Sequence, residues 1–154
     1  MTKSERAISK FTGGYNCAQS VFYAFCEDLG LDRDTALKTA CGFGGGMGRK
    51  GEVCGAVTGG IMALGVKYGR GENEDGSALD TTYAKTREFM GEFAEKHGSC
   101  LCRELLNGCN LATAEGQTIF REKELKNKVC IPCVRSAVEI LENIMNPAEQ
   151  RGCL

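Results

Sequence analysis

Apolar residues recur along nearly the whole chain at spacings of three and four, and strict alternation is absent. That period marks amphipathic helices rather than strands. Residues 3–12 put Ala7, Ile8 and Phe11 on one side, and Gly13-Gly14 stops the pattern. Asn16 is a natural N-cap for a helix from Cys17 to about Leu29, with Val21, Phe22, Phe25 and Leu29 as its apolar face. Asp32 caps a third helix, Arg33 to Ala40. A helix from Cys54 to about Tyr68 draws apolar surface from Ala56, Ile61, Leu64 and Val66. After the polar connector 69–77, Ser77 or Asp80 caps a long helix to about His97, with Tyr83, Met90, Phe93 and Ala94 as its stripe. Ser99 caps a short helix that Asn107-Gly108 breaks, and Thr113 caps a weaker one through Glu122 or beyond. The charge-rich run 121–128 reads as a solvated helix end. The last helix opens on Cys130-Ile131-Pro132-Cys133 and buries Val134, Ala137, Val138, Leu141, Ile144 and Met145 before Pro147 ends it. The pattern predicts one all-α domain over residues 1–154, a bundle of six or seven helices with a Gly-rich loop.

One stretch departs from this regularity. Cys41 to Gly71 holds 12 of the chain's 21 glycines. No period is legible up to Gly51, so it reads as a loop. The helix beyond carries Gly55, Gly59, Gly60 and Gly65, each costing about 1 kcal/mol against alanine. Something must offset that cost: either another backbone packs very close, or a ligand sits against Gly55 and Gly59. The Gly46–Gly51 match to G-x-G-x-x-G is close to chance, because no strand precedes it.

Composition changes the picture at one point only, the ten cysteines. The net charge of −1 gives no basic field for nucleic acid or acidic membrane. No apolar run approaches the roughly 20 residues that span a bilayer. MTKSERAISKF shows no apolar leader core, so the expected location is the cytoplasm. Cytoplasmic thiols stay reduced, which favours metal binding or redox work over disulfide staples. The single histidine, His97, excludes a Cys2His2 zinc site and a two-histidine haem.

Cys17 and Cys54 both fall at helix starts, where unpaired N–H groups and the helix dipole favour a thiolate. Cys26 falls in a last turn and is assigned to the core; Cys153, near the end, has no role. Cys130 and Cys133 form a Cys-x-x-Cys pair at a helix mouth, the local arrangement of dithiol oxidoreductases, though without their βαβ context. The same pair, with Cys100 and Cys102, could supply metal ligands. Four thiolates suit zinc or an iron–sulfur cluster.

These residues resemble a known family. Phe11 to Val21, FTGGYNCAQSV, is similar to the N-terminal signature of the redox-active C_GCAxxG_C_C proteins. Cys54 to Gly59, CGAVTG, matches the CGAxxG motif, and Cys102-Arg103-Glu104-Leu105-Leu106 resembles the third cysteine segment. The fourth cysteine is Cys130 or Cys133, with Cys130 slightly preferred on spacing. The resemblance covers roughly residues 6–145. It implies a small, mainly helical redox protein. By analogy with a related domain that accompanies haem in an electron-transfer cytochrome, it also implies an iron–sulfur site.

Two functions follow as expectations. In the first, Cys17, Cys54, Cys102 and Cys130 or Cys133 converge on one site. That site holds an iron–sulfur cluster for electron transfer, or cycles between dithiol and disulfide with a redox protein partner. In the second, the thiols bind zinc in a non-catalytic structural or interaction module. The GxxxG-like face of the central helix permits close helix pairing, within the chain or in an oligomer.

Overall fold

The computed structural model describes residues 1–147; Cys153 lies outside them. The described residues form eight α-helices: α1 (Lys3–Thr12), α2 (Cys17–Cys26), α3 (Arg33–Ala40), α4 (Gly55–Tyr68), α5 (Gly76–His97), α6 (Cys102–Leu105), α7 (Ala114–Glu122) and α8 (Ile131–Met145). The fold is all-α, as the periodicity predicts. Among the described residues the nearest thing to a strand is one isolated antiparallel bridge, Val53 to Leu101. No helix there is long and apolar enough to cross a membrane.

Local chemistry explains most boundaries. Thr2 and Asn16 each complete a capping box, with Glu5 and Gln19 reaching back to the cap N–H. Asp32 and Thr113 cap α3 and α7 as expected. Three boundaries differ. α2 stops at Cys26, short of Leu29. α5 begins two residues earlier than the nearer predicted cap, Ser77, allows, because the Asp75 carboxylate takes the Ser77 N–H. α6 is a single turn from Cys102; Ser99 accepts the Leu101 N–H just outside it. The run after α7 is no simple helix end: a π-helical turn, Lys126–Cys130, leads directly into α8.

α2 is the central helix, packed against α1, α3, α4 and α8. Val21, Phe22 and Phe25 from α2 meet Val57 and Leu64 from α4 and Val134, Val138 and Leu141 from α8 in one core. The stripe of α5 is partly the one predicted: Phe93 is buried and Met90 packs against the core, but Phe89 joins it and Tyr83 does not. Phe89 and Phe93 are fully buried, whereas Tyr83 is 57% exposed. The reason lies in α4: Gly60 leaves a hollow that the Phe89 ring and Leu141 fill. Val66, expected on the apolar face of α4, is 43% exposed near that helix's end.

The Gly-rich loop owes its composition to its backbone. Gly45, Gly46, Met47, Gly48 and Arg49 have φ of 65°, 70°, 68°, 59° and 67° in succession. L-residues pay roughly 1–2 kcal/mol each for that left-handed region and glycine does not. The loop is closed by Gly48 N–H to Gly42 C=O (2.9 Å) and Glu52 N–H to Gly46 C=O (2.9 Å). Cys102 N–H to Glu52 C=O (2.7 Å) and Cys54 N–H to Cys100 C=O (2.8 Å) then tie it to the start of α6. These bonds bring the segments around Cys54 and Cys102 together.

Candidate functional site

The expected thiols come together. Cys17, Cys54, Cys102, Cys130 and Cys133 all line one cavity of about 100 Å³. Phe11, Leu105, Leu106, Leu111, Phe120 and Val129 supply its apolar wall, and Asn16 and Gly45 sit at its edge. Each thiol arrives at the start of a helix: Cys17 opens α2, Cys54 precedes α4, Cys102 opens α6, and Cys130 and Cys133 flank the first residues of α8. Cys54 and Cys133 are nearly inaccessible, while Cys17 and Cys130 are half-buried. The other cysteines are elsewhere: Cys26 is fully buried in the core, Cys100 donates to Met90 C=O (3.4 Å), Cys109 donates to Gly116 C=O (3.2 Å), and Cys41 is exposed.

The thiols are coupled to one another. Cys54 acts on the ionisation of Cys17, and Cys133 and Cys17 act on that of Cys54. Backbone N–H groups of Gly45 and Ala18 point at the Cys17 sulfur, and that of Ala56 at the Cys54 sulfur. These donors favour a thiolate, as the helix-start argument expects. They are outweighed. The Cys54 thiol, then burial, hold the Cys17 thiol well above its ordinary range. The Cys133 thiol, with burial behind it, does the same to Cys54. Burial first, and repulsion from Cys17 next, push Cys102 to about 11 and Cys130 to about 12. The expectation of thiolates at Cys17 and Cys54 is therefore corrected: in the reduced protein they are neutral thiols. A helix end contributes less than a unit charge, whereas a second ionised sulfur in a dry cavity would contribute a whole one.

Gly55 and Gly59 do not line the cavity. They face α2. A methyl at position 55 would run into the Cys17 sulfur and lie 2.9 Å from the Ala18 nitrogen; one at position 59 would lie 2.5 Å from the Ala18 carbonyl oxygen. The close neighbour that offsets the glycine cost is thus a helix backbone. Gly55 leaves the room in which the Cys17 sulfur reaches Cys54. Gly46 does the same for Cys102, whose Cβ would be 2.7 Å from an added methyl.

His97 joins none of this. It stacks against Phe93 at 4.7 Å between ring centroids, with Nε2 buried and without a hydrogen-bond partner. No cysteine–histidine pair forms among the described residues. Among the described residues, no group of three or more His, Cys, Asp or Glu side chains is set to hold a metal ion.

Two participants are visible in the sequence only as turn chemistry. Gly45 gives its N–H to Cys17. Asn16 caps α2 through Oδ1 (2.9 Å to Gln19 N–H) and donates Nδ2–H to Cys41 C=O at 2.9 Å, pinning the Gly-rich loop to the start of α2. Asn16→Ala loses both bonds and is expected to cost about 1–2 kcal/mol, read as a lower denaturant midpoint.

Comparison with known proteins places this site in context. The model of the family described as "Putative redox-active protein (C_GCAxxG_C_C)" matches residues 15–144. An uncharacterized protein of Archaeoglobus fulgidus is 30% identical over 142 residues, covering 88% of this chain and 87% of its own. No solved structure matches the chain at a significant level.

Proposed function

The chain belongs to the C_GCAxxG_C_C family of redox-active proteins, and from that premise we propose that it works by thiol–disulfide exchange. The pair that closes is Cys17 and Cys54, with Cys133 behind it as a third thiol able to take over from Cys17. The observation that carries this is that Cys17, Cys54 and Cys133 line one small cavity, with Cys54 acting on the ionisation of Cys17 and Cys133 on that of Cys54. The Cys17 sulfur lies against Gly55, the residue next to Cys54, so the two thiols need little backbone movement to bond. Cys17 is the more exposed residue of the pair.

In the reaction, the Cys17 thiolate attacks one sulfur of an external disulfide, RSSR, and expels RS⁻. The Cys54 thiolate then attacks the Cys17 sulfur of the mixed disulfide and expels the second RS⁻. The two protons released by the cysteines end on the two RS⁻. The protein is oxidised by two electrons and the external disulfide reduced to two thiols. Backbone N–H groups from Gly45, Ala18 and Ala56 stabilise whichever of the two sulfurs is momentarily charged. Because the attacking thiol titrates well above neutrality, its thiolate fraction rises up to tenfold per pH unit. Oxidation is expected to accelerate accordingly between pH 7 and 9.

The test is a thiol count with peptide mapping. Reduced protein, purified without oxygen, is titrated with a small neutral disulfide, quenched with an alkylating agent and digested. The expected product has lost two thiols and contains a Cys17–Cys54 linked peptide. Cys54→Ser should abolish it, and Cys26→Ser should leave it unchanged. Recovery of Cys17 and Cys54 as free, alkylated residues would overturn the reading. So would stoichiometric iron with sulfide, or zinc, that is lost in Cys17→Ser.

A further inference from the structure

Beside the thiol cavity lies an open cleft of about 410 Å³. The two are neighbours, sharing Asn16, Gly45, Leu111 and Phe120 as walls. The cleft adds Cys41, Gly44, Gly48, Arg49 and Gln117. Its size suits a small molecule. Among the described residues its only charged lining residue is Arg49, and no carboxylate lines it. The nearest acid in the loop, Glu52, is engaged by Arg103 at 3.4 Å on the other side. Arg49 is close to the chemistry: its Cγ would be 2.9 Å from a methyl on Gly45, the residue whose N–H points at the Cys17 sulfur.

From this juxtaposition we infer that the external disulfide is a low-molecular-weight, carboxylate-bearing one. Its sulfurs enter the apolar thiol cavity while a carboxylate stays in the cleft on Arg49, with Gln117 able to donate a further hydrogen bond. The inference rests on the thiol–disulfide reading above and adds the substrate's class to it. The thiol cavity alone, at about 100 Å³ and walled by leucine and phenylalanine side chains, has room for the sulfurs and little else, so selection falls to the cleft. The chain's net charge of −1 gives no general attraction for anions, so a preference for them must be local. Electrons and atoms balance as before: RSSR gains two electrons and two protons and leaves as two carboxylate-bearing thiols.

The probes are three small disulfides: dithiodipropionate (anionic), hydroxyethyl disulfide (neutral) and cystamine (cationic). Each rate of Cys17–Cys54 closure in the full reduced chain is divided by that reagent's rate with a neutral cysteine peptide. The expected order is anionic, neutral, cationic, with about fivefold or more between the first two at low salt. Arg49→Asn removes the charge while keeping a residue that tolerates φ of 67°. It should bring the anionic rate down to the neutral one and leave the neutral rate within twofold; Arg49→Lys should restore much of the preference.

Equal normalised rates, or a preference that survives Arg49→Asn, would overturn the assignment. Thiol–disulfide exchange would stand in that case, because the neutral reagent still closes the pair. Loss of reaction in Cys41→Ser would also overturn it, by placing capture at the cleft's own thiol. Failure of all three reagents to link Cys17 and Cys54 would bring down both readings.

Discussion

Gly59→Ala is expected to destabilise the protein, although alanine is the better helix former by about 1 kcal/mol. The new methyl would lie 2.5 Å from the Ala18 carbonyl oxygen and 3.1 Å from its carbonyl and α-carbons. All three atoms belong to the backbone of α2, the most connected helix of the core, so no side chain can swing aside. α2 and α4 must separate, and the Cys17 and Cys54 sulfurs at their N-terminal ends separate with them. Overpacking of this kind costs about 1–3 kcal/mol. A contact of 2.5 Å against fixed backbone belongs at the upper end, leaving a net loss of about 2 kcal/mol after the propensity gain. Guanidinium unfolding under reducing conditions measures it, and Gly65→Ala is the control, since nothing lies within 4 Å of an added methyl there. Gly65→Ala should be neutral or stabilising. If Gly59→Ala behaves the same way, the close crossing of α2 and α4 is wrong, and the thiol pair with it.

A steep loss of stability above pH 9 is the second large effect. The folded-state pKa of Cys17, Cys54, Cys102 and Cys130 is raised above the ordinary value of 9.0. A raised pKa means that the unfolded chain releases its protons first as pH climbs. The contribution of these thiols to stability is therefore full below about pH 9. It falls as pH rises toward about 11 for Cys102 and about 12 for Cys130, and further still for Cys17 and Cys54. Each group that has ionised only in the unfolded state removes up to about 1.4 kcal/mol per pH unit. Together they are expected to remove several kcal/mol between pH 9 and 11, more than any one such group could account for. Unfolding midpoints of the reduced protein across pH 7.5 to 10.5 give the slope. The disulfide form, with two fewer titrating thiols, should lose stability less steeply over the same range. Identical slopes for the two forms would show that the coupled thiols do not titrate as their burial requires.

The helices were legible because each announces itself locally. Asn16, Asp32 and Thr113 cap where expected, and Val134, Ala137, Val138 and Leu141 repeat at the spacing that buries one face of α8. Where several local signals compete, they mislead. In the connector before α5, Asp75, Ser77 and Asp80 are all chemically able caps, and which one serves depends on where the chain arrives from α4. The stripe of α5 is likewise set by the partner: Phe89 is buried because Gly60 of α4 makes a hollow for its ring, whereas the N-terminal half, with Tyr83, reaches past the core.

The amino-acid sequence by itself determined the all-α class, the cysteines at helix starts and the demand for a close neighbour at Gly55 and Gly59, since period, caps and glycine cost are properties of neighbouring residues. Tertiary structure decided what those features amount to. It supplied the α2 backbone as the neighbour and brought Cys17, Cys54, Cys102, Cys130 and Cys133 from four separate helix starts to one cavity. It also reversed the expected ionisation of Cys17 and Cys54. A helix start acts on its own thiol within a single turn, but burial and a second sulfur act through space, and no local pattern records how close that second sulfur comes.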